Sequence, residues 1–448
     1  MQRQGILVGR GRWPRWGRVP VLLAGLLALP AQAEDLLAIF SQAREADPVY
    51  RAAAAERLAT LEARPQARAL LLPSLNISAS YNEVNEDLTV TAFGSPGARS
   101  YPVTRYTLNL NQAIYHHDYF AQLRQAEAQV AQAEIRFRDA MQDLVLRTAS
   151  AYFDVLAAKD DLVFAVAEKK AIGEQLHQTR QRFNVGLTAI TDVHEAQARY
   201  DQAVAREIAA RNALEVAQEV LRELTGSLPE ELAVLSPGAP LLNPEPDDIE
   251  AWETRALEQN LGLLSAFKDM DIALAEVSRQ RAGHLPSLDL VASWGYSDTG
   301  GIFFREATET RIGLQLNIPL YAGGGVSSAL RQALHRHEAA RQRLEAARRN
   351  TVREVRSAFL SVLSGISQVK ALKQARASSQ TALEATRAGF EVGTRTAVDV
   401  LNSQRELYLA ERNYARARYD YLLATLRLKQ AAGILAEADI AQINGWLE

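Results

Sequence analysis

The chain of 448 residues contains no cysteine. Without thiols it can form no disulfide bond, has no thiolate nucleophile and offers no cysteine ligand to zinc. Its seven histidines show no metal-binding spacing either. His116 and His117 are adjacent and His335 and His337 are two residues apart, so neither pair shares one face of a helix. We expect no metal site.

Signatures of catalysis and of cofactor binding are missing too. The glycine-rich stretch AGGGV (322–326) lacks the Lys-Ser/Thr pair of a phosphate-binding loop. No strand followed by Gly-x-Ser-x-Gly, the turn that carries a serine nucleophile, appears. We therefore expect a protein that is not an enzyme and uses no cofactor.

Long apolar runs are scarce, and one of them lies near the amino terminus. Residues 1–33 contain five arginines, no acid, the run VPVLLAGLLALP and then AQA before Glu34. This layout predicts a secretory signal peptide cleaved after Ala33. A membrane anchor is a poorer interpretation, because crossing a bilayer needs roughly 20 apolar residues. We expect an exported protein that could enter a membrane only through β-strands.

Outside that segment, basic residues are outnumbered by acidic ones. The whole chain has a formal net charge of −3, and loss of residues 1–33 with their five arginines makes it −8. An acidic protein offers nucleic acid no basic surface. Nucleic acid is therefore not an expected partner.

The most informative feature that is present is a repeat. FNVGLTAITDV (183–193) and FEVGTRTAVDV (390–400) share five of eleven positions at an offset of 207 residues. LRQA recurs at nearly the same spacing, beginning at Leu123 and at Leu330. Matching offsets along both halves predict an internal duplication.

Each copy is dominated by one long helix. Residues 118–183 contain no proline and only one glycine, and as a helix they would extend roughly 100 Å. Apolar and alanine residues follow a heptad spacing that is typical of packed helices. The positions are Leu123, Ala126, Val130, Ala133, Phe137, Ala140 and Leu144, and in the second copy Leu330, Ala333, Ala340, Leu344 and Ala347, where His337 interrupts the series.

A glycine turn follows each long helix, and a second helix follows each turn, over about 189–225 and about 396–432. Each copy therefore predicts a helical hairpin. We divide the mature chain into a first repeat (34–225), a proline-rich connector (226–248), a second repeat (249–433) and a tail (434–448). Each repeat would contain a helix, two strands and a long hairpin.

Alternating segments precede the long helices and predict four strands. They are SLNISASYN (74–82), RYTLNLN (105–111), SLDLVASWGYS (287–297) and RIGLQLN (311–317). One face is apolar and the other polar, which is typical of outer-membrane barrel strands. A sheet that covers a core has the same alternation, so a soluble periplasmic coiled-coil scaffold is the alternative.

Four strands cannot close a barrel, and an open sheet edge in lipid would leave backbone groups unpaired. Closure would need other copies of the chain. Two copies would give a barrel filled by side chains, and three would give 12 strands with room for a lumen. The residues alone predict an oligomer and leave its number open.

Three segments carry a family resemblance: the two turn sequences with their flanking helices, and NIPLYAGGGVSSALRQA (317–333). They resemble TolC-type outer-membrane efflux and type I secretion proteins over essentially the whole mature chain. The resemblance implies a mainly α fold with transmembrane β-strands. Three chains would form an α-barrel of long hairpins and a 12-stranded β-barrel, with an equatorial region built from the connector and the chain ends.

The resemblance also implies a function and partners. The homotrimer would be a passive exit duct in the outer membrane whose tunnel extends into the periplasm. A periplasmic adaptor and an inner-membrane transporter of RND, ABC or MFS type would dock to it. The expected docking residues lie at the turns: Val185, Gly186, Leu187, Val392, Gly393 and Thr394.

Residue roles at the closed end of the tunnel follow from the same resemblance. Arg395 would bond to the neighbouring hairpin, with Thr191 and Asp192 as its partners. Phe390 stands where a family member has a tyrosine that bonds to Asp192, so the resemblance implies no such hydroxyl link here. Read without the family, Thr191 or Asp192 is interpreted as a helix N-cap, and Arg395 as a solvated surface charge.

Two further positions match the acidic constriction of the family. Asp399 matches one ring of carboxylates, whereas Asn402 stands in place of the second. The resemblance therefore implies three carboxylates rather than six, with a weaker attraction for cations. The sequence does not identify the cargo.

Overall fold

The computed structural model describes residues 34–88, 97–300 and 305–448. The expected signal peptide lies outside these ranges. The helices are α1 (Leu36–Ala46), α2 (Pro48–Leu61), α3 (Ala63–Ala69), α4 (His117–Asn184), α5 (Ile190–Thr225), α6 (Ile249–Gln259), α7 (Leu261–Ala282), α8 (Gly325–Glu391), α9 (Ala397–Ala431) and α10 (Glu437–Asn444). The strands are β1 (Ser74–Leu88), β2 (Gly97–Tyr115), β3 (Ser287–Thr299) and β4 (Arg305–Asn317).

The two long helices and the hairpins they form are confirmed. Helix α4 has 68 residues and α8 has 67, and each reverses into a helix of about half its length, α5 with 36 and α9 with 35. Helices α2 and α7 pack beside α4 in its first half, where Tyr50 of α2 stacks on Phe137. In its second half α4 packs on α5 and α9. The predicted heptad positions are all buried or half-buried.

The hydrophobic core lies midway along the molecule, where α1, α4, α9 and α10 meet residues 232–241. Phe40, Tyr152 and Phe153 are fully buried there. The Tyr152 hydroxyl donates to the Ala233 carbonyl at 2.7 Å, and the ring of Tyr419 stacks on Phe153. Large aromatic side chains thus anchor the irregular connector to the long helices.

The connector pairs with segments that are far away in the sequence. Residues 231–233 form a short parallel bridge with Glu34, and Val234 exchanges two backbone hydrogen bonds with Glu448. Tyr421 of α9 binds the connector at Leu242, donating to its carbonyl and accepting from its N–H. The connector, Glu34 and Glu448 therefore form one region of irregular structure against the long helices at mid-height.

The four strands form one antiparallel sheet in the order β1-β2-β3-β4. Its register places the predicted apolar residues side by side: Leu75 pairs with Leu110, Leu110 with Ala292, and Ala292 with Ile312. The strands extend beyond the alternating segments, to 15 and 19 residues for β1 and β2. Pairing continues there through polar residues such as Asn85, because backbone hydrogen bonds do not require an apolar face.

The apolar face of the sheet is not covered by the rest of the described chain. Ile77, Ile312 and Leu314 are 77%, 76% and 68% exposed. The described chain therefore supplies no core for this face, and the alternative of a sheet that covers a core is not favoured. Among the described residues, no helix combines the length and apolar composition that crossing a membrane requires.

Strand β2 continues into α4 almost without a linker, since β2 ends at Tyr115 and α4 begins at His117. Between them, the His116 imidazole lies 3.0 Å from a carboxylate oxygen of Asp289 on β3 and stacks on Tyr119 of α4. The sheet and the hairpins are therefore directly joined, with the helix tips at the end remote from the sheet.

Candidate functional site at the helix tips

The two hairpins reverse through the same backbone turn. Gly186 and Gly393 have φ angles of +78° and +82°, a left-handed conformation that favours glycine. The Leu187 N–H donates to the Arg182 carbonyl, and the Thr394 N–H to the Gly389 carbonyl, each at 2.8 Å. These bonds satisfy carbonyl groups that the ends of α4 and α8 would otherwise leave unpaired.

Apolar side chains project from both turns. Val185, Leu187 and Val392 are 69%, 73% and 76% exposed. Gly186, Gly393 and Thr394 are exposed beside them. The first turn thus exposes two apolar side chains and the second turn one.

The second helix of each hairpin begins differently. Helix α9 has a capping box, in which the Asp399 N–H donates to the Thr396 hydroxyl while the Thr396 N–H and hydroxyl both donate to the Asp399 carboxylate at 2.9 Å. The bond from the Thr396 backbone and then the one from its hydroxyl hold the pKa of Asp399 below its usual range. Asp399 is therefore an ionised carboxylate next to the second turn at neutral pH.

Helix α5 begins at Ile190, and its N-cap residue is Ala189, which has no side chain that could cap the helix. The interpretation of Thr191 or Asp192 as the N-cap is wrong, because both lie within the first turn of α5. Thr191 is exposed, and the half-buried Asp192 accepts a hydrogen bond from the Thr188 hydroxyl. Residues inside a helix have helical φ and ψ angles, so they cannot adopt the extended backbone of an N-cap residue.

Arg395 is exposed at the second turn. Its aliphatic stem packs over Gly389, where an added Cβ atom would lie 2.8 Å from the Arg395 Cγ. Gly389 therefore lets the arginine lie across the end of α8 while the guanidinium extends into solvent.

Phe390 and Asn402 each contact an arginine of the other hairpin. The Arg182 guanidinium carbon lies 4.5 Å from the centroid of the Phe390 ring, and the Arg199 Nη2 lies 3.4 Å from the Asn402 Oδ1. Sequence reasoning missed both arginines. The only signal concerns the first pair, since Arg182 and Phe390 precede their turn glycines by four and three residues, whereas Arg199 and Asn402 follow theirs by 13 and nine.

No metal centre accompanies these groups. In the ranges 34–88, 97–300 and 305–448, no group of three histidine or acidic side chains is placed to hold a metal ion. The tips therefore supply charge, hydrogen bonds and apolar surface.

A family model described as "Outer membrane efflux protein" matches residues 39–227 and 252–434. The chain is 41% identical over 95% of its length to "Outer membrane protein TolC" of Vibrio cholerae, of which it covers 96%. It is 35% identical over 93% of its length to "Alkaline protease secretion protein AprF" of Pseudomonas aeruginosa, of which it covers 88%.

Among solved structures, the Campylobacter jejuni CmeC outer membrane channel superimposes with a TM-score of 0.78 at 15% identity, covering 93% of this chain and 90% of that one. The family model covers both hairpins and all four strands of the sheet. The chain therefore belongs to the family of outer membrane efflux proteins.

Proposed function

We propose that this protein is a passive exit duct in the outer membrane, open to efflux or type I secretion and closed at the periplasmic helix tips. The observation that carries the proposal is the uncovered apolar face of the sheet on top of long hairpins. Lipid is the environment that such a face requires. The hairpins would continue the passage away from the membrane.

Three copies would complete the duct. The sheet has open edges at β1 and β4. Helix α8 lies at one side of the described helices, and α2, α3 and α5 lie at the other. Joining these sides around an axis pairs β4 with the β1 of the next copy. Three copies give 12 strands and six hairpins, and the repeats 34–225 and 249–433 then alternate around the tunnel, with residues 226–248 and 434–448 in the equatorial belt.

The cargo and its transporter are proposed only by class. One relative is named for protease secretion and the family model for efflux. A passive duct would serve either, since selection rests with an inner-membrane transporter of RND, ABC or MFS type. A periplasmic adaptor would cover the exposed apolar residues at the two turns.

The gate would combine charge and contact at the tips. The exposed Arg395 guanidinium would reach Thr191 and Asp192 on the next copy. Asp399 would form a ring of three carboxylates, with Asn402 one turn further along α9 and Phe390 at the end of α8. A ring of three fixed negative charges attracts cations.

Fractionation tests the duct against the soluble scaffold. We expect the full chain to require detergent for release from outer membranes and to run as a trimer after chemical cross-linking. Release into the periplasmic fraction without detergent, as a monomer or dimer, would support the scaffold instead.

Block by a trivalent cation tests the carboxylate ring. Asp399→Ala should reduce the sensitivity of the channel current to the cation, because three fixed charges are lost. Thr396→Ala is the matched control, since it breaks the same capping box and leaves the carboxylate in place. Equal sensitivity in Asp399→Ala and the parent would remove Asp399 from the constriction.

A further inference from the structure

Two arginines of the first hairpin contact the second hairpin close to the tips. Arg182, in the last turn of α4, covers the Phe390 ring of α8 at 4.5 Å. Arg199, in the third turn of α5, donates to the Asn402 Oδ1 of α9 at 3.4 Å. Both helices of one hairpin are thereby connected to both helices of the other.

These four side chains are half-buried in a part of the molecule where most residues are exposed. Directly beside Asn402, Leu401 is 3% exposed and enters an apolar cluster of the first hairpin. The other buried members of that cluster are Ile172, Leu176, Ala196 and Ala203. The cross-hairpin contacts therefore rest on a packed layer, which restricts the arginine side chains and reduces the entropy lost in each contact.

Neighbouring polar contacts have a different role because they stay inside one hairpin. Arg180, two residues before Arg182, donates to Gln197 of α5. Ser403, next to Asn402, donates to Thr386 of α8. Only some of the polar residues at this height therefore connect the two hairpins.

We propose that Arg182 and Arg199 form a latch within each chain that holds its two hairpins together and so stabilises the closed tunnel. The proposal rests on the proposed function, in which separation of the hairpins opens the duct. It adds two residues, and a chemistry, that the expected gate residues do not supply.

The chemistry of the latch differs from that of an ion pair. Arg182 binds the π-face of Phe390, and Arg199 binds a neutral amide oxygen, so neither contact contains a carboxylate. Arginine stays protonated throughout the accessible pH range. Acidification from pH 7 to pH 4 therefore protonates no group in these two contacts, and salt weakens them less than it would weaken an exposed ion pair.

Single-channel recording of the full chain in planar bilayers tests the latch. Arg182→Gln and Arg199→Gln should each raise the equilibrium constant for opening by about 3- to 10-fold in each chain, the change expected for loss of one such contact. The fraction of time that the trimer is open should therefore rise by at least that factor. Arg180→Gln is the matched control, with the same loss of charge from α4 but no contact between hairpins. Equal open fractions in all three variants would overturn the latch.

A variant that strengthens the contact should lower the open fraction instead of raising it. Asn402→Asp places a carboxylate opposite Arg199, so the open fraction at pH 7 should fall below that of the parent. The reduction should disappear below about pH 4, where the carboxylate is protonated. A variant that opens as often as the parent at pH 7 would contradict an Arg199 contact at this position.

A distance measurement between spin labels tests the latch independently of whether the protein forms a duct. Because the chain has no cysteine, spin labels can be attached at Gln178→Cys on α4 and Arg405→Cys on α9, both exposed. In protein diluted with unlabelled chains, Arg182→Gln and Arg199→Gln should broaden the distance distribution, and Arg180→Gln should not. Unchanged distributions overturn the latch whether or not the protein conducts, whereas broadening without conductance contradicts the duct alone.

Discussion

The two hairpin turns have the same backbone and different side-chain chemistry. Both reverse at a left-handed glycine with nearly equal φ angles. The second turn continues into a helix that is capped by Thr396 and Asp399, whereas the first leads into a helix with no capping side chain. The duplication thus preserved the geometry that reverses the chain. The charges and contacts around that geometry diverged, which is what a clasp between unlike partners requires.

Replacing the turn glycines should have the largest effect and should be equal at the two tips. A Cβ atom at Gly186 or Gly393 would meet nothing within 4 Å, so the cost is the left-handed backbone alone, about 1–2 kcal/mol. For Gly186→Ala and Gly393→Ala, amide hydrogen exchange at Leu187 and Thr394 respectively should accelerate about 5- to 30-fold. An effect at one turn only would show that the turns are not energetically equivalent.

Removing the side-chain cap of α9 should destabilise the second hairpin more than the matched change destabilises the first. Thr396→Ala should cost about 1 kcal/mol at the start of α9, because the Asp399 N–H loses its acceptor. Thr188→Ala in the first hairpin is the matched change, and a smaller effect is expected since Thr188 donates to a carboxylate and caps no backbone N–H. Hydrogen exchange in the first turns of α9 and α5 measures both, and comparable losses would contradict the asymmetry.

Lowering the pH should weaken the start of α9. The folded pKa of Asp399 is lowered from 3.8, so its contribution is present above that value and is lost as the pH falls through the lower folded pKa. Between pH 5 and pH 2, exchange in the first turn of α9, corrected for the intrinsic rate, should therefore accelerate. Asp399→Asn should abolish the dependence, and a pH-independent parent would contradict the capping geometry.

Replacing a glycine inside each long helix should have the smallest effect on stability. In α8, an added Cβ atom at Gly365 would lie 3.6 Å from the Tyr421 Cβ, an ordinary contact, whereas at Gly173 in α4 it would lie 3.3 Å from the Tyr200 ring. Gly365→Ala should stabilise the protein by about 0.5–1 kcal/mol. Gly173→Ala should gain less, because the tyrosine ring must move. Thermal unfolding of the two variants measures the difference, and a larger gain at Gly173 would contradict these contacts.

The sequence allowed the long helices, the turns and the sheet faces to be predicted because each has a local signature. The alanine-rich stretches without proline marked α4 and α8, and alternation placed Leu75 and Ile312 on one face. The full length of β2 was missed because its distal pairing is polar and depends on its neighbours. Local sequence pattern therefore predicted the helices and the sheet faces but not the full length of β2.

At the tips, the turn residues could be located from the sequence but their contacts could not. Arg182 and Arg199 resemble any other arginine on a charged helix face, since their partners are about 200 residues away. Only the packing of one hairpin on the other, through Leu401, distinguishes them. The start of α5 was also misassigned, because Thr191 and Asp192 are residue types that favour the N-cap but lie two and three residues after it.

Current through a planar bilayer tests the duct most directly. Purified full-length protein added to one side should insert and produce discrete steps of cation-selective current. Such steps follow from the proposed duct, in which the apolar sheet closes in lipid above a tunnel lined by the Asp399 carboxylates. Protein that binds the bilayer, or stays in solution, without any step in current would contradict the account.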